Sequence, residues 1–78
     1  MEEKEYAFHD AAERGKVELV KEILRENPNL DINWANFGGW TALMTACRNG
    51  HDSVVSVLLA NPAINVNLMN MFGCTPFI

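Results

Sequence analysis

Long apolar runs are missing from this 78-residue chain. No stretch approaches the ~20 residues that a helix needs to cross a bilayer, so no membrane partner is expected. Basic charge is scarce too. Six Lys and Arg face ten Asp and Glu, for a net charge of −4. No basic run offers a footing for phosphates, and nucleic acid is not an expected ligand. Two Cys cannot build a disulfide scaffold. The opening Met-Glu-Glu-Lys-Glu is acidic and polar, unlike a secretory leader. Asn-x-Ser/Thr acceptors are lacking as well. These absences point to an intracellular location, cytoplasmic or nuclear.

Catalytic patterns are also missing. Ser53 and Ser56 have no His–Asp constellation beside them, and Gly38-Gly39 is not followed by Gly-Lys-Ser/Thr. The pairs Glu2-Glu3 and Asp10/Glu13 lie in solvated helical contexts that give no reason for a raised pKa. Cys47, Cys74, His9 and His51 do not have zinc-ligand spacing. The reading is a non-enzyme without metal or cofactor.

What is present is a repeat. A hydrophobic fraction of 49% with 21% charged residues suits a folded chain. Apolar residues over 5–14 and 17–26 recur at helical spacing, as in the stripe Val17, Leu19, Val20, Ile23 and Leu24. Gly15 separates the two segments, and Asn27-Pro28 stops the second, because proline disfavours a helical residue before it. Residues 30–34 read as a short extended piece and 36–39 as its turn. Thr41 is the natural N-cap of the next helix. A second helix pair then covers 41–49 and 52–60, around Gly50.

The two pairs are in register. At an offset of 35, Ala11 matches Ala46, Gly15 matches Gly50, Val20 matches Val55 and Leu24 matches Leu59. After the pair the offset becomes 34, relating Asn33 to Asn67, Asn36 to Asn70, Gly39 to Gly73 and Thr41 to Thr75. One inserted residue in the first loop accounts for the change. A unit this small cannot bury its own apolar faces and must stack on a neighbour.

The order helix, Gly, helix, hairpin resembles the ankyrin repeat. The match is carried by Gly39-Trp40-Thr41-Ala42-Leu43, Ala46-Cys47, Gly50-His51, Val54-Val55, Leu58-Leu59 and Ile64-Asn65-Val66-Asn67. Ala42 and Met44 stand where that family favours Pro and His, and Asn36 and Asn70 where it favours Asp. The resemblance implies an all-α solenoid of antiparallel helix pairs joined by short β-hairpin loops. Residues 1–34 would form an N-terminal capping repeat, 35–68 a central repeat and 69–78 the start of a third. The second pair is expected to leave Leu43, Ala46, Leu58 and Leu59 partly uncovered toward that third repeat.

The resemblance also implies function. The expected role is a protein–protein interaction scaffold that uses its concave face. Carried over by position, that face holds Trp34, Phe37, Trp40, Met44, Arg48 and Asn49, with Met69, Met71, Phe72 and Cys74 from the next hairpin. Trp40 is the anchor candidate, whereas Trp34 is expected to pack onto a neighbouring hairpin. The alternatives are a self-assembling homo-oligomer closed through the open C-terminal face, and a piece of a longer array. His9 and His51 are expected to make structural hydrogen bonds. Asn67, with Leu59 eight residues before it and Val66 just before it, fits the asparaginyl-hydroxylation pattern known in the family. The competing reading is that Asn67 only bonds backbone at the hairpin base.

Overall fold

The computed structural model describes residues 3–76. Its elements in chain order are α1 (Glu3–Glu13), α2 (Val17–Glu26), α3 (Ala42–Arg48) and α4 (Asp52–Leu59). The inner helices α1 and α3 lie side by side, the outer helices α2 and α4 pack behind them, and each inner helix also packs on its own outer partner. Phe77 and Ile78, expected to continue the third repeat, lie outside the described residues.

Both inner-to-outer turns close in the same way. Gly15 and Gly50 have φ of +72° and +73°, the left-handed region in which a Cβ would crowd the following carbonyl. That geometry lets the Lys16 N–H donate to the Ala11 carbonyl at 2.9 Å and the His51 N–H donate to Ala46 at 3.0 Å. These are the six-to-one bonds of a Schellman stop. Thr41 caps α3 as anticipated, its Oγ1 accepting the Met44 N–H at 3.3 Å.

One core serves both repeats. Phe8, Ala11, Ala12 and Val20 from the first pair merge with Ala42, Leu43, Ala46, Val54 and Leu58 from the second. This corrects one expectation. Leu43, Ala46 and Leu58 are 0–1% exposed, because they face the first pair rather than a third. Leu59, at 43% exposed, is the one of the four left open. The predicted stripe of α2 is also less buried than its spacing suggests. Val20 is fully enclosed, Val17, Ile23 and Leu24 are half-buried, and Leu19 is exposed. The outer helix of the first repeat has a neighbour on one side only.

The extended piece at 30–34 is interrupted by a turn at Ile32 and Asn33, and no strand forms among the described residues. The hairpin reduces to one antiparallel bridge, Ala35 with Thr41. Side chains have taken over from the ladder. Asp31 Oδ1 accepts the Asn33 N–H at 3.0 Å. Asn36 Oδ1 accepts the N–H groups of Gly38 and Trp40 at 3.1 and 3.0 Å.

Polar contacts lock the repeats together. The Glu13 carbonyl, left over at the end of α1, accepts from Asn49 Nδ2 at 3.1 Å and His51 Nε2 at 2.8 Å. Asn33 spans the outer loops, its Nδ2 donating to the Ala63 carbonyl at 2.9 Å and its Oδ1 accepting the Asn65 N–H at 2.8 Å. His9 is 7% exposed, and its Nε2 lies 3.1 Å from the Trp40 carbonyl and 3.2 Å from Thr45 Oγ1. A carbonyl can only accept, so Nε2 carries the proton. Burial lowers the His9 pKa below its ordinary 6.5, opposed in part by the Trp40 bond and the Glu13 and Asp10 charges.

This packing is open to two tests. A Cβ on Gly50 would meet no atom within 4 Å, whereas on Gly39, with φ of +83°, it would lie 3.2 Å from Asn70 Cα and Met71 N. Gly50→Ala should therefore cost about 1–2 kcal/mol from backbone conformation alone. Gly39→Ala should cost more in the same urea titration, because backbone has to give way. His9 takes up a proton more readily unfolded than folded. Stability should hold above about pH 7 and decline as pH falls through 6.5 toward the lower folded value. A His9→Gln chain should show a shallower decline in melting temperature over that window.

Candidate protein-binding face

The candidate surface is built by α1, α3 and two hydrogen-bonded fingers, residues 35–41 and 69–75. The fingers are near copies. Asn70 Oδ1 accepts the N–H groups of Phe72 and Cys74 at 2.9 and 3.0 Å, matching the bonds that Asn36 makes in the first finger. The Met71 N–H approaches the Gly38 carbonyl at 3.4 Å, so the fingers lie against one another. Their tips are apolar and in water: Phe37 is 99% exposed, Phe72 71% and Met71 69%. Met69 is exposed beside them.

Trp40 stands between two clefts. On one side its ring receives the Arg48 guanidinium at 5.1 Å, a cation–π contact. Trp40, Arg48, Met44, Cys47 and Cys74 line a cleft of about 370 Å³ there. On the other side Trp40 and Phe37 border a cleft of about 290 Å³, shared with Tyr6, His9, Asp10 and Glu13 of α1.

Several predicted residues sit elsewhere than the surface reading places them. Met44 is 2% exposed. It backs the larger cleft from the core rather than standing on the surface, because α3 turns that position inward. Asn49 is exposed, yet its amide is engaged by the Glu13 carbonyl. Trp34 packs on α1, 5.0 Å from Tyr6 and 5.9 Å from His9 between ring centres. Burial, then the Asp52 charge, raises the Cys47 thiol pKa, which disfavours the reactive thiolate. Among the described residues no group of three His, Cys, Asp or Glu could hold a metal ion. No helix there is long and apolar enough to cross a membrane.

Tyr6, Asp10 and Glu13 border the face without belonging to the predicted set. The signal that could have found them is the repeat register itself. Glu13 and Arg14 stand at the offset of Arg48 and Asn49, so the outer surface of α1 continues that of α3.

Comparison with known proteins agrees with this architecture. A family profile described as ankyrin repeats, in three copies, matches residues 1–77. The human ankyrin repeat and SAM domain-containing protein 3 is 47% identical over 60 residues, covering 76% of this chain and 9% of that protein. The human NAD-capped RNA hydrolase NUDT12 is 44% identical over 52 residues, 67% of this chain and 11% of its own length. The chain thus spans about a tenth of each of these relatives. The crystal structure of the human ASB11 ankyrin repeat domain superposes with a TM-score of 0.78 at 29% identity, covering 88% of this chain and 30% of that one. With paired helices, mirrored glycine turns and a profile match across nearly its whole length, the chain belongs to the ankyrin-repeat family.

Proposed function

We propose that the chain is a protein–protein interaction scaffold that takes its partner along the concave face, with Trp40 and the finger tips as the principal contacts. Ankyrin repeats generally mediate protein–protein interaction, and the fold is typically non-catalytic. The supporting observation for this face is the exposure of Phe37, Met69, Met71 and Phe72 on fingers whose backbone is already hydrogen-bonded. A backbone ordered beforehand spares its share of the entropy lost on binding, and the exposed rings and thioethers gain by burial. Arg48 adds a charged group of a type favoured at interfaces.

The rival reading is assembly with a second copy through the face that carries Leu59. The contacts between the first two repeats support it: Asn33 bridges to the next loop, and Asn67 holds the same register one repeat on. With Leu43, Ala46 and Leu58 buried, Leu59 is the one of the four that this face presents, so the scaffold reading is preferred. Asn67 is exposed, and its N–H donates to Asn65 Oδ1 at 2.9 Å. An exposed side-chain amide at this position suits the hydroxylation that the family resemblance suggests.

Three measurements test these readings. Phe37→Ala with Trp40→Ala should weaken capture of a purified partner about tenfold or more while sedimentation velocity stays unchanged. Loss of a larger species on Leu59→Glu, with partner capture intact, would instead favour self-assembly. Incubation with an ankyrin-directed asparaginyl hydroxylase should add the mass of one oxygen atom, and Asn67→Ala should abolish the gain.

A further inference from the structure

We infer that the cleft between α1 and the first finger is a subsite for a basic side chain, an arginine carried in an extended segment of the protein partner. This rests on the scaffold reading and specifies the chemistry of what the scaffold takes. At about 290 Å³, the cleft lies just under the ~300–1,000 Å³ of small-molecule sites and suits one long side chain. Three aromatic rings, Tyr6, Phe37 and Trp40, line it together with the carboxylates of Asp10 and Glu13.

Two features set the sign of the ligand. No Lys or Arg lines the cleft, and the whole chain carries −4. His9, the remaining titratable lining group that could turn positive, is buried and spends its Nε2 proton on the Trp40 carbonyl and Thr45. Asp10 pairs with Arg14 at 3.0 Å, but both groups are more than half exposed, and such surface pairs are weak and exchangeable. The Glu13 carboxylate makes no ion pair among the described residues. Its backbone is held by Asn49 and His51.

The rings narrow the choice from any cation to arginine. Phe37 and Tyr6 are 99% and 63% exposed, so apolar faces stand in water beside the carboxylates. A guanidinium is flat and weakly hydrated. It can lie on an aromatic face while donating in the plane to a carboxylate, which an ammonium cannot match. The chain already makes one such pairing across Trp40, where Arg48 sits 5.1 Å from the ring centre. Arg48 also makes the opposite cleft repulsive to a cation, which directs the partner's arginine to the α1 side.

The test uses the full chain and a phage-displayed library of random peptides, with affinities of selected peptides read by fluorescence anisotropy. Selected peptides should share an arginine. Replacing it with citrulline, which keeps the shape and drops the charge, should weaken binding about tenfold. Glu13→Gln should weaken the arginine peptide to a similar degree and the citrulline peptide little, the signature of a direct pair in a double-mutant cycle. Circular dichroism should show the variant folded, because among the described residues Glu13 is held through its backbone carbonyl and not its side chain. Peptides that lose affinity with Trp40→Ala or Phe72→Ala, yet ignore citrulline and Glu13→Gln, would overturn the inference and leave the scaffold reading standing. Enrichment of no peptide at all would overturn both.

Discussion

The two inner helices can share one core because alanine supplies the tight positions. Ala11 and Ala12 on α1 and Ala42 and Ala46 on α3 are 0–1% exposed, and larger side chains there would force the helices apart. Phe8, Leu43, Leu58 and the two buried valines then fill the space around them. Neither repeat has that core alone. The Glu13 clamp and the His9 bridge both depend on α1 and α3 lying side by side, and so does the surface the two helices present.

The fingers show how a polar side chain can replace a sheet. A two-stranded ladder of this length is marginal in water. Asn36 and Asn70 instead gather two backbone N–H groups each onto one side-chain oxygen. Amide chemistry has a consequence here. Asn70 is 5% exposed and its Nδ2 makes no hydrogen bond among the described residues, a cost of order 1–3 kcal/mol for a stranded donor. An aspartate, which the family favours at this position, would have no such donor and would accept the same two N–H groups more strongly, but its charge would have to be buried. The chain carries the neutral version in both fingers.

Much of this is legible from residue spacing, and the misses have physical causes. Gly15, Gly50 and Thr41 stand where local chemistry decides: a left-handed stop and a hydroxyl cap act within a few residues. The extended reading of 30–34 fails because Asp31 and Asn36 divert the backbone donors that a ladder would use. Leu43, Ala46 and Leu58 are assigned to the wrong side because helical periodicity marks a face as apolar without saying which neighbour covers it. Met44 is misplaced for the same reason. Tyr6, Asp10 and Glu13 are marked in the sequence by the repeat register alone, because a polar helical face reads alike whether it borders open water or a cleft. Concavity arises only when the finger folds over α1.

Trp40 joins fold and face in one residue, and its two roles separate by atom. Its carbonyl accepts from His9 and its N–H donates to Asn36, so the backbone belongs to the frame. Its ring lies between an acidic cleft and a basic one. Truncating the side chain therefore leaves both backbone bonds available, and the loss falls on the surface. Changing His9 or Asn36 would instead disturb the position of the ring without touching it. The proposed surface thus takes the order of its backbone from bonds that pass through the same peptide units that display it.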